Sequence, residues 1–449
     1  MNQPVAKKMR KPLRVLKFGG TSVGDASAIA RVVEIIRASG CESDAVVVVS
    51  AMSGVTNKLI EAGVRSASGK QDAAGAEHVA SIFTELRTRH QAAIHTLIHS
   101  TDRRNRVARE IDQLCREGEE LCHSIRLRGA LPLPAQDAIS SLGERLAAPL
   151  LAAVLAEGGI ASEAIAATNL IQTDGSHGAA EPEMAATRTK CNARLLPLLQ
   201  RGVVPVVTGF LGATAEGALT TLGRGGSDYS ATILAAALAA DEVTIWTDVD
   251  GMMTADPRFV PDAMTIAEIS YREAAEMAHF GAKVLHPKTL SPVTEYGIPL
   301  WIRNTFAPER IGTCITPQGA GGASGVKGIT FTSDATLFTL PEGMAARAEF
   351  EAGVAMLSMV GARLGSSETS SVLLATLERV QVKVLAAQHP SAERISLLIA
   401  KSDLNLALAN LHRELGLGEM RGRAFPARSA GLEAAFWEHE AEPRTANAD

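Results

Sequence analysis

The chain has 449 residues, and ordinary domains have about 100–200, so we expect two or three domains. Hydrophobic residues make up 46% and charged residues 21%, which is typical of a globular protein and excludes collagen-like, mucin-like and coiled-coil classes. The 44 basic and 49 acidic residues give a net charge of −5, without the basic excess of a general nucleic-acid binder. These values favour a role on small molecules.

Five cysteines are scattered along the chain: Cys41, Cys115, Cys122, Cys191 and Cys314. Since they show no C-x-x-C spacing and no partnering histidine pair, they indicate neither a disulfide framework nor a zinc site and favour the cytoplasm. Residues 1–12 are basic but lack a following apolar segment, so they predict a disordered tail. The longest apolar stretches, such as Leu146–Ala156, are about half as long as a bilayer span, which predicts no membrane anchor.

From residue 13 to 316, short Val- and Ile-rich segments alternate with helical patterns, which predicts a mainly parallel sheet covered by helices on both faces. The predicted strands are Leu13–Phe18, Ala45–Ser50, Ile160–Ala166, Val203–Gly209, Glu242–Thr247 and Ile298–Asn304. Asp25 or Ser27 is the expected N-cap of the first helix. Residues 76–128 predict an outlying helical hairpin, in which we interpret four histidines as a solvated face in preference to a metal site: His90, His95, His99 and His123.

Residues 317–328 are rich in glycine and predict a linker. Residues 329–419 then predict a smaller α+β domain of split β-α-β type. Its elements are Ala355–Val360, Ser367–Val380, Val382–Gln388, Arg394–Ala400 and Leu404–Leu415. Residues 420–449 have no regular period and are predicted to be a disordered tail.

A first glycine loop directly follows the first predicted strand, where parallel sheets bind ligands. Adjacent glycines at Gly19 and Gly20 let backbone amides approach an anion, and Lys17 supplies a full charge, so phosphate binding is expected. The spacing excludes a Walker loop and weakens a dinucleotide-binding interpretation. A purely structural G-G turn is the alternative.

A second glycine loop precedes a predicted helix, Ala231–Ala240. Here Arg224 offers a fork for a carboxylate or phosphate, and Asp228 can either cap the helix or orient a lysine. A third segment, Trp246–Arg258, follows a strand and is rich in turn residues, and Lys283 adds a cation beyond the predicted helix Tyr271–His279. Taken alone, the acidic and basic side chains of the last two segments would more often be surface groups.

Together, the segments KFGGTSV, TTLGRGGSDYSA, WTDVDG with DPR, and FGAKVLHP closely resemble the aspartokinases of the amino-acid kinase fold. The resemblance covers about Leu13–Ile315, and Ser50–Asn57 and Gly143–Arg145 fit the two substrate-side segments of that family. It implies that residues 13–316 form the catalytic domain. The implied reaction transfers the ATP γ-phosphoryl group to the β-carboxylate of L-aspartate, giving 4-phospho-L-aspartate, the first step toward lysine, threonine and methionine.

The resemblance also implies roles for individual residues. Lys17 would neutralise charge on the moving phosphoryl group, oriented by Asp228, which matches the family's catalytic aspartate. The phosphate-binding amides would belong to four glycines: Gly19, Gly20, Gly225 and Gly226. Mg²⁺ would bridge phosphate oxygens, and no residue is assigned as its ligand.

On the acceptor side, the resemblance implies that Arg224 binds the α-carboxylate of aspartate and Glu144 its α-ammonium group. Ser50 and Thr56 would complete the substrate site with hydrogen bonds. The remaining ATP-binding residues would be Thr247 and Asp248 at the nucleoside, and Arg258 and Lys283 at the phosphates. Met253 stands where the family commonly has a tyrosine near the adenine.

The smaller domain resembles the ACT module with which aspartokinases sense amino acids, most specifically in Ala387–Ser391 between its second and third predicted strands. Family members usually carry two interleaved units, whereas Ile329–Gly353, with a predicted strand pair in Thr330–Pro341, is too short for a second one. We therefore expect weakened or absent lysine inhibition. The effector-site candidates are Gly361, Ser366 and Ser367, for which a turn and a helix cap are the alternative. ACT modules usually pair, which favours a homodimer or higher homo-oligomer.

Three other functions deserve comparison. A related kinase acting on another carboxylate or carbamate is the nearest alternative, but Glu144 with Arg224 favours a free amino acid. A non-catalytic regulatory subunit would not need Lys17, Arg224 and Asp228. A nicotinamide oxidoreductase would need a Rossmann fingerprint, which the chain lacks.

Overall fold

The computed structural model describes residues 11–40, 43–68, 73–281, 284–319, 325–333, 353–364 and 367–418. The chain divides into two compact units. Among the described residues, the first comprises the chain up to Asp248 with Arg303–Arg310, and the second comprises Val249–Ile302 and residues 311–418. Apart from Lys11 and Pro12, the two predicted tails lie outside the described residues.

The first unit contains seven strands and seven α-helices among its described residues. The strands are β1 (Leu13–Phe18), β2 (Asp44–Val49), β3 (Ser162–Ile165), β4 (Val204–Thr208), β5 (Leu211–Ala213), β6 (Leu219–Thr221) and β7 (Glu242–Thr247). The helices are α1 (Ala26–Gly40), α2 (Val55–Ala67), α3 (Ala73–Leu97), α4 (Thr101–Arg128), α5 (Leu133–Glu157), α6 (Met184–Gln200) and α7 (Gly226–Leu238).

A parallel sheet runs through this unit in the order β3-β4-β2-β1-β7. Strand β1 lies between β2 and β7, and its Phe18 ring stacks on Trp246 with the centroids 6.2 Å apart. Strands β5 and β6 form a separate antiparallel pair. The predicted parallel sheet is confirmed, and because its strands are parallel, their carboxyl ends share one edge.

Two helix starts show how capping sets the boundaries. Asp25, one of the two predicted N-caps of α1, accepts a hydrogen bond at Oδ1 from the Ala28 amide at 2.9 Å. The helix predicted as Ala231–Ala240 begins earlier in the structure, because α7 starts at Gly226, five residues before Ala231. Gly225 precedes it with φ at 70°, a conformation that glycine adopts without steric cost. The helix can therefore begin at Gly226, although a glycine-rich sequence does not favour a helix.

The predicted helical hairpin is present as α3 and α4. Three of its four histidines are exposed as expected, but His90 is fully buried, and its Nδ1 donates a hydrogen bond to the Leu86 carbonyl at 2.7 Å. Burial lowers the pKa of His90 to about 4, so the ring is neutral. The described residues contain no group of three or more His, Cys, Asp or Glu side chains able to hold a metal ion.

Helix α5 is the central helix of this unit. By length and composition it is the one helix among the described residues that could cross a bilayer, but 89% of its most apolar window is buried inside the protein. That burial is typical of a core helix. It brings two acidic side chains, Asp137 and Glu144, into the interior, where they are 2% and 4% exposed.

The second unit contains seven strands and four α-helices among its described residues. The strands are β8 (Glu268–Ser270), β9 (Leu300–Asn304), β10 (Thr313–Thr316), β11 (Gly325–Ser333), β12 (Val354–Ala362), β13 (Val384–Ser391) and β14 (Arg394–Ala400). The helices are α8 (Tyr271–His279), α9 (Pro287–Tyr296), α10 (Ser367–Arg379) and α11 (Leu404–Glu414). Strand β10 pairs with β8 and β9, and β11-β12-β14-β13 form an antiparallel sheet.

Three predicted boundaries in this region need correction. Residues 325–328 of the predicted linker belong to β11, because Gly325 and its neighbours pair with β12. Ala387–Ser391 lies within β13 rather than between two strands. The compact units also separate after Asp248 rather than near residue 316, because Ala255 and Val260 pack into one core with Leu357 of the small sheet. Residues 334–341 of the predicted strand pair lie outside the described residues.

Gly118 provides a test of how closely the outer helices pack. A Cβ built on this α4 glycine would lie 2.4 Å from the Phe83 ring and 2.8 Å from Leu142. We therefore expect Gly118→Ala to lower the free energy of unfolding by about 1–3 kcal/mol, although alanine is the better helix former. Urea unfolding measures the change.

Gly40→Ala is the matched control, because a Cβ at the end of α1 would meet no atom within 4 Å. It should leave stability unchanged or slightly raised. Equal stability of the Gly118→Ala protein and its parent would contradict the packing described here.

Candidate functional site

A cavity of about 360 Å³ opens in the first unit at the carboxyl edge of the parallel sheet. A volume of this size suits a small ligand. The lining residues are Lys17, Gly20, Ser50, Ala51, Met52, Ser53, Gly54, Thr56, Asn57, Glu144, Phe210, Gly223, Gly225, Gly226, Ser227 and Asp228. They come from the end of β1 and the loop after it, from the segment after β2 with the start of α2, and from the turn after β4. The others belong to α5, to the residues between β6 and α7, and to the start of α7.

The strongest electrostatic feature of the cavity is an ion pair. Lys17, near the end of β1, places its Nζ 2.6 Å from Oδ1 of Asp228 in the first turn of α7. The two side chains are only 9% and 16% exposed, so little water screens the pair. The amino end of a helix favours a negative side chain, which stabilises Asp228 where it stands.

Beside the ion pair, the backbone is shaped for an anion. Gly223 and Gly225 both have φ in the left-handed region, at 78° and 70°, immediately before the amino terminus of α7. The Gly226 amide donates to the Gly223 carbonyl at 3.0 Å and is already used. The other amides of such a turn can form a concave anion site, and the helix dipole adds positive potential. Gly20 approaches from the other side, where a Cβ would lie 2.9 Å from the Ala51 carbonyl oxygen. We call residues Leu222–Gly226 the glycine turn.

Glu144 carries the buried negative group of the cavity. Its Oε1 accepts a long hydrogen bond of 3.5 Å from the Ser227 hydroxyl, and Oε2 has no hydrogen-bond partner among the described residues. Burial raises the pKa of this carboxyl group to about 7, against the lowering effects of the Ala51 amide and Lys17. A cationic ligand would supply the partner that this carboxylate lacks.

Several cavity residues were not singled out by the sequence. Ser227 and Phe210 are the clearest, because one contacts Glu144 and the other adopts φ of 71°, which is unusual for a bulky side chain. The neighbouring glycines Gly209 and Gly212 mark the Phe210 turn in the sequence. Asn57 lay in the predicted substrate-side segment, but the sequence gave it no separate signal.

Four residues of the first unit that were predicted for the site do not line the cavity. The Gly19 amide donates a hydrogen bond to the Trp246 carbonyl at 3.0 Å and is therefore already used. Arg224 is exposed, and its neighbours Gly223 and Gly225 line the cavity in its place. Thr247 and Asp248 follow β7, where the Thr247 hydroxyl donates to the Asp248 carboxylate at 3.2 Å. Their predicted roles remain predictions.

The other predicted ATP-binding residues belong to the second unit. Met253 pairs with Thr265, and Arg258 is held by Asp256, with its Nη2 2.6 Å from Oδ2 and its Nε 3.0 Å from Oδ1. The side chain of Arg258 is 74% exposed. Lys283 lies outside the described residues.

The effector-site candidates fall at the end of β12 and the start of α10. At Gly361 a Cβ would lie 2.0 Å from the Gly325 carbonyl oxygen, so this glycine is required for the close approach of β11 and β12. Ser366 lies outside the described residues. Ser367 begins α10, and its side chain is also outside them.

The acidic groups of the cavity fit a metal ion that arrives with a nucleotide. Mg²⁺ in kinases is held by phosphate oxygens and water with one or two carboxylates. The cavity offers two carboxylates, Asp228 and Glu144, and the described residues contain no preformed cluster of three ligands. Asp228, the more exposed of the two, is the group that would face such an ion.

Comparisons with known proteins agree with this geometry. The family model described as "Amino acid kinase family" matches residues 12–304. Lysine-sensitive aspartokinase 3 of Escherichia coli is 38% identical over 304 residues, which are 67% of this chain and 63% of that protein. Aspartokinase 3, chloroplastic, of Arabidopsis thaliana is 35% identical over 67% of this chain and 52% of its own length. The chain thus spans less than two thirds of these relatives.

Solved structures extend the likeness to most of the chain. Escherichia coli aspartokinase III in complex with aspartate and ADP superposes with a TM-score of 0.76 at 27% identity, covering 90% of this chain and 99% of that one. The same enzyme in complex with lysine and aspartate gives 0.76 at 28% identity. The predicted amino-acid kinase fold, with an additional α+β region, is confirmed.

Glu144 makes stability depend on pH in an unusual direction. Since its folded pKa of about 7 lies above the reference value of 4.5, the native state binds the proton more tightly. The stabilisation that comes from this tighter proton binding is therefore complete below pH 4.5 and is lost as the pH rises through 7. At pH 8 we expect the free energy of unfolding of Glu144→Gln to exceed that of the parent by up to about 3 kcal/mol. At pH 4 the two proteins should be equally stable. Thermal unfolding at both pH values measures this.

Glu157, on the same helix, is the matched control. Partial burial opposes the effect, but hydrogen bonds from the His99 and Ser100 amides and the contact with Arg103 lower its pKa. Glu157→Gln should therefore be less stable than the parent at pH 8. A Glu144→Gln protein that is destabilised at pH 8 would show that the carboxylate has a partner in the folded protein.

Proposed function

The chain belongs to the amino acid kinase family, and from that premise we propose that it transfers the γ-phosphoryl group of ATP to the β-carboxylate of L-aspartate. The products are 4-phospho-L-aspartate and ADP. The observation that carries the proposal is the Lys17–Asp228 ion pair beside the glycine turn, with Glu144 in the same cavity. Phosphate-binding and ammonium-binding groups thus meet within one small volume.

The chemistry requires positioning more than acid–base catalysis. An oxygen of the β-carboxylate attacks the γ-phosphorus, a new O–P bond forms, and the bond to the β–γ bridging oxygen breaks as ADP leaves. The attacking group is already an anion, so no strong base is needed. Lys17 and the amides at the start of α7 would stabilise the charge on the transferred group, and Asp228 would keep Lys17 at the cavity.

The acceptor site is suited to a small zwitterion. Glu144, with an unpartnered buried oxygen, would bind the α-ammonium group, and Ser50 and Thr56 line the same cavity with hydroxyl groups. We propose that Arg224, which is exposed beside the glycine turn and has no ion pair among the described residues, closes on the α-carboxylate when substrate binds. Mg²⁺ bound to the nucleotide would neutralise phosphate charge, with Asp228 facing it.

We further propose that the protein acts in the cytoplasm as a homodimer or higher homo-oligomer. The proposal on assembly rests on the small antiparallel sheet of the second unit, whose edge strand β13 pairs with β14 on one side only among the described residues. The proposed partners are small molecules, ATP and L-aspartate. We propose neither nucleic acid nor membrane as a partner, given the charge balance.

Lys17→Ala tests the reaction and the main catalytic group. With Mg-ATP, L-aspartate and hydroxylamine, the parent should give aspartyl hydroxamate, because hydroxylamine traps an acyl phosphate. The variant should lose about 100- to 1,000-fold in kcat, the usual cost of removing one charge-stabilising group. The colour of the hydroxamate–iron complex measures the product.

Lys58→Ala is a control with the same change of charge, since Lys58 pairs with Glu85 and does not line the cavity. Its activity should match that of the parent. Product from glutamate instead of aspartate would favour a related carboxylate kinase. No product from either amino acid would favour a regulatory subunit and contradict the proposal.

Feedback inhibition by lysine is proposed to be weak or absent. The described residues of the small domain form one four-stranded sheet with α10 and α11, as one ACT-like unit requires. In steady-state assays with saturating substrates, added lysine or threonine should change the rate by less than about twofold. Inhibition of fivefold or more, the lower end of ordinary allosteric coupling, would contradict it.

A further inference from the structure

A buried carboxylate outside the cavity joins three segments of the first unit. Oδ2 of Asp137 on α5 accepts hydrogen bonds from His177 Nδ1 at 2.8 Å and from the Gly178 amide at 3.2 Å. Oδ1 accepts one from the Thr221 hydroxyl at 2.6 Å. Asp137 is 2% exposed, and both of its oxygens are therefore fully used. We call this group, Asp137 with His177, Gly178 and Thr221, the Asp137 cluster.

The Asp137 cluster directly supports the glycine turn. Thr221 ends β6 and is the residue before the turn begins, and its carbonyl accepts a hydrogen bond from the Ala180 amide at 2.9 Å. Gly223, which lines the cavity, lies against the loop that carries His177, since a Cβ there would be 2.9 Å from the Gly178 carbonyl oxygen. The position of the turn therefore depends on where Asp137 holds this loop.

Helix α5 links the cluster to the acceptor side. Glu144 follows Asp137 by seven residues, which is two helical turns and returns to nearly the same face. One rigid, buried helix thus holds the ammonium-binding carboxylate and the support of the phosphate-binding turn. A shift between these two parts of about 1 Å would be enough to lower the rate of transfer about 100-fold.

We propose that Asp137 and His177 are positioning residues for phosphoryl transfer, which set the place of the glycine turn relative to Glu144. The inference rests on the proposed function. Neither side chain lines the cavity, so they act through Thr221 and Gly223 and not on the substrate. In this role Nδ1 of His177 would donate its hydrogen to Oδ2 of Asp137.

Two substitutions of His177 separate positioning from simple stability. His177→Ala removes the donor, whereas His177→Asn places an amide nitrogen near the position of Nδ1. We expect kcat to fall at least about tenfold in His177→Ala and to recover to within about threefold of the parent in His177→Asn. The KM for aspartate should change less than kcat, because Glu144 is untouched.

Thr173→Val is the matched control. It removes a buried hydrogen bond of 2.6 Å between Thr173 and Thr220. Thr220 immediately precedes Thr221 of the Asp137 cluster, and the substitution leaves the hydrogen bonds of Asp137 unchanged. It should lose as much thermal stability as His177→Ala and keep its kcat. If His177→Ala keeps full kcat, or if Thr173→Val loses as much kcat, the positioning role is overturned.

A binding measurement keeps this test independent of the reaction. By titration calorimetry, Mg-ADP should bind at least about threefold more weakly to His177→Ala than to the parent and to Thr173→Val. If the parent phosphorylates no amino acid, the proposed function fails, and the difference in Mg-ADP affinity still tests the cluster. Equal Mg-ADP affinity in these three proteins would contradict the support of the glycine turn.

Discussion

The Lys17–Asp228 ion pair is the interaction on which the site depends. Each partner is almost withdrawn from water, and either one alone would leave an uncompensated charge in the protein interior. The pair also joins the central strand β1 to the helix α7, whose first amides form one wall of the cavity. In the proposed function, the pair would hold Lys17 at the cavity before the nucleotide binds, and a phosphate group would then compete with Asp228 for the same ammonium group.

The buried helix α5 provides the second constraint. A helix in the core must be largely apolar, yet two carboxylates of α5 are buried. The two differ in their hydrogen bonding. Asp137 has every oxygen satisfied by hydrogen bonds, whereas Glu144 has an oxygen without a partner and a pKa raised to about 7 by burial. One group holds the fold together and the other is left unsatisfied at a ligand cavity. A buried carboxylate oxygen without a partner is a cost to stability that a cationic ligand would relieve.

The sequence was sufficient for the parts of the fold that depend on local pattern. Alternating buried strands and helices predicted the parallel sheet, and the position of Lys17 near the end of β1 predicted its place at the sheet edge. Prediction from the sequence failed where tertiary packing overrides local helix propensity. Glycine and serine disfavour helix, yet α7 starts at Gly226 because Gly225 caps it in a left-handed conformation. His90 has the spacing of a surface histidine but is covered by neighbouring helices.

Contacts between distant segments were beyond the reach of any local pattern. Asp137 meets His177 across 40 positions and Thr221 across 84, and no motif marks these three as neighbours. The roles of Arg224, Thr247 and Asp248 could be predicted only from resemblance, because a long exposed side chain has no single position that the sequence determines. Phe210 was missed because its positive φ is a property of the turn it occupies.

The second unit shows why the predicted linker does not separate two independent domains. Within this unit, the Thr254 hydroxyl accepts from the Met264 amide and can donate to Nε2 of His412 on α11, both at 2.9 Å. Burial lowers the pKa of His412, although Asp262 opposes the change. The segment around Met253 therefore belongs to the core of the small domain. A change in that core would reach Thr254, the residue after Met253, through its hydrogen bond with His412, without having to cross the glycine-rich segment.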